Sequence, residues 1–162
     1  MSKKNFGTTI KKWLDEEYAR VELGSNDQFE FGIILPDAIG KDMGLSLGQP
    51  RGKNIITITC HMIMPKEITG VVAELKLEQK VKLVQALHRE LLKIVQDHTV
   101  NKDLEFITFG ERVYIDNLKR QSLMDSILKV RNVALYLLSS LRKEFGGFET
   151  PTPSTPEFSM YG

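Results

Sequence analysis

The sequence predicts an α+β domain whose elements run helix, three strands, helix, two strands, helix. Three observations predict it. The stretch from Leu75 to His98, LKLEQKVKLVQALHRELLKIVQDH, sets Leu77, Val81, Val84, Leu87, Leu91, Ile94 and Val95 at three- and four-residue steps, the signature of a long amphipathic helix. Stretches of period two stand on both sides of it, so the apolar face of that helix has a sheet to cover. A second long apolar stripe follows from Ser122 to Phe145.

Length and charge bound the rest. A chain of 162 residues suits one core, placed here at residues 1–147, with residues 148–162 as a Pro/Thr-rich tail expected to be disordered. Lys plus Arg number 22 against 21 Asp plus Glu, which gives no field to draw in nucleic acid, anionic lipid or an acidic substrate. The single cysteine, Cys60, excludes an internal disulfide framework and favours a reducing compartment. MSKKNFGTTIKKWLDEE has charges where a signal peptide needs apolar residues, and Val133 to Leu141 falls short of the ~20 residues of a membrane span. The expectation is a soluble, cytoplasmic protein without a membrane partner.

Taken in order, Phe6, Ile10, Trp13 and Leu14 give a first helix over about residues 6 to 18, with Trp13 as a core residue. Val21 and Leu23 alternate with Arg20 and Glu22, and after the turn Gly24-Ser25-Asn26-Asp27 a second strand alternates through Phe29, Phe31, Ile33 and Leu35. Pro36 ends it. A glycine-rich loop, DAIGKDMGLSLGQPRGK, then runs from Asp37 to Lys53, and a third strand from Asn54 to Met64. After the central helix, Asn101-Lys102-Asp103 turns into two short strands, Leu104 to Phe109 and Glu111 to Ile115, hinged at Gly110. The last helix opens on Ser122 and Asp125, shaped like a capping box, and stops at Gly146-Gly147.

The chemistry is mostly negative. Gly48, Gly52 and Lys53 suggest a phosphate loop, but Leu47 and Asn54 stand where glycine and Ser or Thr are required, and a strand follows. Lys41, Arg51 and Lys53 remain a candidate anion site. Cys60 and His61 are adjacent on a strand and so point to opposite faces, which denies the thiol its base. His88 and His98, ten residues apart on one helix, would be about 15 Å apart, too far to share a metal ion. No catalytic residue, metal site or cofactor is predicted. Arg112 and Tyr114 share a strand face, a small basic-aromatic platform that the near-zero net charge disfavours for nucleic acid. The final helix has more apolar positions than one contact needs: Leu123, Ile127, Val130, Ala134, Leu137 and Leu141 form a stripe that Leu128, Leu135 and Leu138 widen. Burial within the monomer explains that width, and so does a second contact with a subunit or a bound segment. On the central helix, His88, Leu83 and Leu92 lie off the main stripe, and their exposure would mark a partner face.

The element order α-β-β-β-α-β-β-α, the strands QFEFGIILP and NIITITCHMIMP and the long helix resemble the type III secretion chaperone-like fold and uncharacterised archaeal families that share it. The resemblance implies an antiparallel five-strand sheet with helices packed mainly on one face, and a homodimer that binds a segment of another protein. The expected function is a non-catalytic interaction module or chaperone-like adaptor. The alternative is an enzyme or small-ligand binder with its site under the loop of residues 37–53.

Overall fold

The computed structural model describes residues 3–24, 27–40 and 43–145, with side chains from Phe6 onward. They form four helices and a six-strand antiparallel sheet. The order is α1 (Lys3–Asp15), β1 (Glu22–Gly24), β2 (Phe29–Gly40), β3 (Met43–Pro50), β4 (Ile55–Ile63), α2 (Lys66–Glu74), α3 (Leu77–Ile94), β5 (Asp97–Val100), β6 (Phe106–Tyr114) and α4 (Arg120–Phe145). In space the strands run β1-β2-β3-β4-β6-β5.

Six strands replace the expected five, and both ends of the count change. β2 runs through Pro36 to Gly40 instead of stopping at the proline, and the expected glycine loop becomes the end of β2 plus β3. Met43, Leu45, Leu47 and Gln49 alternate with Gly44, Ser46 and Gly48, a period-two pattern masked by its glycines. A Cβ at Gly48 would meet the Phe29 ring at 2.7 Å, so glycine there serves close packing. The ligand site expected beneath a loop at residues 37–53 therefore has no loop to cover it. Gly110 is no hinge either: β6 passes straight through it, and its edge partner is β5, taken from the C-terminal end of the stretch read as helix.

The core lies between one face of the sheet and the helices. Ile33 pairs with Leu47, Leu47 with Ile58, Cys60 with Phe109 and Ile56 with Val113, so these side chains share a face, and all but the half-buried Val113 are buried. Each fully buried Ile or Met there contributes roughly 1.5–3 kcal/mol. The opposite face carries Ile34, Ser46, Thr59, His61, Ile63, Arg112 and Tyr114, all exposed or half-buried, with no helix among the described residues over it. α4 supplies the main lid: Leu123, Ile127, Val130, Ala134, Leu137, Leu138 and Leu141 are buried. Trp13 packs on the core as expected. α4 begins two residues ahead of the expected Ser122, whose hydroxyl accepts the Lys119 N–H at 3.2 Å and so forms the returning half of a cap.

Two glycines test this arrangement in opposite directions. A Cβ at Gly110 would stand 2.2 Å from the Ile58 carbonyl oxygen, whereas one at Gly70, exposed on α2, meets nothing within 4 Å. Gly110→Ala is expected to lower stability by about 1–3 kcal/mol and Gly70→Ala to raise it by roughly 0.5–1 kcal/mol, read as shifts of the urea midpoint.

Candidate functional site

α3 begins with the Lys76 N–H donated to Gln79 Oε1 at 3.0 Å and ends where Val95 turns extended (φ −132°). Its inner residues Leu87 and Leu91 are buried. Leu83, Leu87 and Ile94 face α4, which runs antiparallel to it, since the start of α3 lies beside Leu141 and Phe145 and its end beside Leu128 and Val133. The two helices do not close on each other. Between them lies a cleft in two parts that meet at Glu90: a cavity of about 730 Å³ walled by Ile94, Leu128, Val133 and Tyr136, and one of about 600 Å³ walled by Leu83, Leu87, Leu141 and Phe145.

The rim is charged but largely self-compensated. Lys93 lies 3.5 Å from Glu90, and Lys82 is paired with Glu78. Lys129 reaches down to Glu111 of β6 at 2.5 Å. Glu111 is only 5% exposed, so that carboxylate relies on Lys129 in place of water. Arg131 is likewise buried on α4.

A second apolar stripe runs along α3 away from the cleft. Leu77, Val81, His88 and Leu92 fall within about 60° of one another around the helix. Leu77 is 78% exposed and Leu92 62%. Leu83, by contrast, is half-buried in the cleft wall.

The two histidines expected to be remote are in contact. Because the helix stops at Ile94 and the chain returns as β5, His98 Nε2 comes to 2.9 Å from His88 Nδ1. Burial and the neighbouring His88 hold His98 below its ordinary range, while Asp97 pulls the other way. Among the described residues no group of three or more His, Cys, Asp or Glu is placed to hold a metal ion. Cys60 is fully buried, its thiol pushed up to about 12 by desolvation, and His61 stands on the opposite face at 2.6 Å from Thr108.

The other candidates separate. Lys41 lies outside the described residues. Arg51 donates to the Asp27 carbonyl at 2.7 Å and sits 3.7 Å from Glu30, and the Lys53 backbone closes a turn on Pro50, so their local bonds are those of a tight connection between β3 and β4. Leu128 lines the cleft, and Leu135 packs half-buried on the core. Arg112 and Tyr114 share the uncovered sheet face, with Arg112 tied to Asp97 at 2.9 Å.

The Glu111 pair is the polar tie that can be weighed directly. Lys129→Met leaves a buried carboxylate without its partner and is expected to cost roughly 1–3 kcal/mol. Adding Glu111→Gln should recover part of that loss, and a double-mutant cycle by urea unfolding reads the coupling.

The residues of this chain resemble known proteins over most of its length. A solved structure described as an uncharacterized protein from Methanothermobacter thermautotrophicus superposes with a TM-score of 0.76 at 22% identity, covering 86% of this chain and 98% of that one. At that identity it shows the fold. No curated protein matches the chain. No helix among the described residues is long and apolar enough to cross a membrane. Residues 6–141 match the family model described as an uncharacterized conserved protein (DUF2299), and the chain belongs to that family.

Proposed function

We propose that this protein is a non-catalytic interaction module, a chaperone-like adaptor that acts as a cytoplasmic homodimer and holds an apolar segment of another protein. One observation carries the reading: α3 presents apolar side chains in two directions, into the open cleft against α4 and outward along Leu77, Val81 and Leu92. A surface helix of a monomer needs one apolar stripe for its core. Two stripes call for two further contacts beyond the buried pair Leu87 and Leu91.

The cleft suits a segment lying between two helices, the helix-in-groove mode, with Leu128 at one end and Phe145 at the other. The outer stripe suits a second copy. Antiparallel pairing of two α3 helices would bring Leu77 of each near Leu92 of the other and would set Glu78 close to the basic end of the partner helix, around Arg89 and Lys93. The succession of a helix, a block of strands, a long helix and a last pair of strands before α4 supports the type III secretion chaperone-like reading, with one strand and one helix, the short α2, more than that order has.

Light scattering at micromolar concentration should give the mass of a dimer. Leu77→Asp together with Leu92→Asp should give a folded monomer whose urea midpoint is independent of protein concentration, whereas that of the wild type rises with concentration; both side chains are exposed on the single chain. Fluorescence anisotropy with a panel of labelled amphipathic helical peptides should find binders in the micromolar range, weakened about tenfold by Leu128→Glu, a loss of about 1.4 kcal/mol. A wild-type protein that is monomeric and holds none of the peptides would refute the reading.

A further inference from the structure

α3 and the edge strand β5 are joined by two imidazoles. Nε2 of His98 stands 2.9 Å from Nδ1 of His88, and the rings meet edge to face with centroids 4.3 Å apart. One nitrogen must donate and the other accept, so one of the two is bare. A first proton on the pair leaves the bond intact, with an imidazolium N–H facing a neutral ring. A second proton sets N–H against N–H and puts two positive charges side by side, which half-burial of His98 makes harder to screen.

The charged groups around the pair relieve that repulsion only in part: Asp97 favours the protonated His98 ring but does not offset burial and the neighbouring His88. Asp97, beside His98 on β5, is held by Arg112 of β6 at 2.9 Å. Glu111 of β6, on the helix-covered side of the sheet with His98, is paired with Lys129 of α4. From α3 the nearest charge in sequence is Arg89, which adds to the positive side.

We propose that His88 and His98 form a proton-operated latch: their shared hydrogen bond holds α3 against β5 at neutral pH, and double protonation in mildly acidic solution releases the helix. The seat of α3 is shallow, with Leu87 and Leu91 as its buried residues, so a broken polar tie counts for more here than it would under α4. Because α3 is one wall of both cavities, release widens the cleft. The direction follows from proton counting. His98 is held below its ordinary 6.5 in the folded state, so the unfolded or released state binds more protons below that pH. Stability of the α3 seat is therefore intact above about pH 6.5 and declines as pH falls.

Amide hydrogen exchange across α3, corrected for intrinsic rates, combined with NMR titration of the His98 ring, tests the latch. Between about pH 7.5 and pH 5 the wild-type α3 amides should lose roughly tenfold in protection. His88→Gln keeps a donor to His98 but cannot take a proton, so protection should persist at both pH values and the His98 midpoint should move upward. His98→Gln should also abolish the pH response and serves if the first variant folds poorly. The same loss of protection in wild type and both variants, or a His98 midpoint unmoved by His88→Gln, would overturn the proposal.

Discussion

The structure depends on the pairing of β4 with β6. Nine residue pairs run in unbroken register from Ile55 opposite Tyr114 to Ile63 opposite Phe106. A one-residue slip would turn Ile56, Ile58, Cys60 and Met62 from the covered face to the bare one, so the register is fixed by burial. Gly110 permits it, because only a residue without a side chain lets β6 come this close to the Ile58 carbonyl. Every other strand is attached to this pair: β3, β2 and β1 on one side, β5 on the other.

The large buried side chains of the central strands, from Ile33 and Leu47 to Ile58, Cys60 and Phe109, lie on one face, and that one-sidedness sets the roles of the helices. α4 spends its apolar stripe on the sheet and is anchored along its length. α3 comes last in the packing order. It reaches the molecule through Leu87, Leu91 and β5, with α4 beside it but apart from it, and the remaining apolar residues of α3 stay in contact with water. Apolar surface that the monomer leaves unburied is the usual mark of a contact surface, and here it is concentrated on one element.

Polar ties gather at the same flank. Glu111 to Lys129 joins β6 to α4, Arg112 to Asp97 joins β6 to β5, and His98 to His88 joins β5 to α3. The exposed Arg112 pair adds little stability, while the buried Glu111 makes its pair matter. The flank thus mixes firm and weak attachments around the Leu128 end of the cleft.

The sequence by itself determined the elements whose periodicity is unmixed. β4 was legible as Asn54 to Met64 because its apolar and polar residues alternate without interruption, and α4 because Leu123 to Leu141 keep one helical stripe. Of the residues that widened the α4 stripe, Leu128 lines the cleft while Leu135 and Leu138 pack on the core, and of the off-stripe residues on the central helix His88 and Leu92 are exposed while Leu83 is half-buried in the cleft wall. Three things were decided only in three dimensions. β3 was hidden because glycine, usually a sign of a loop, is required there by close strand packing at Gly48. β5 was hidden because Ile94 and Val95 continue the helical stripe into residues that alternate as a strand, and local spacing cannot choose between the two; pairing with β6 does. The contact of His88 with His98 follows from that choice, since residues far apart along a straight helix meet once the chain turns back, and a turn made by tertiary pairing leaves no mark in the spacing of the sequence.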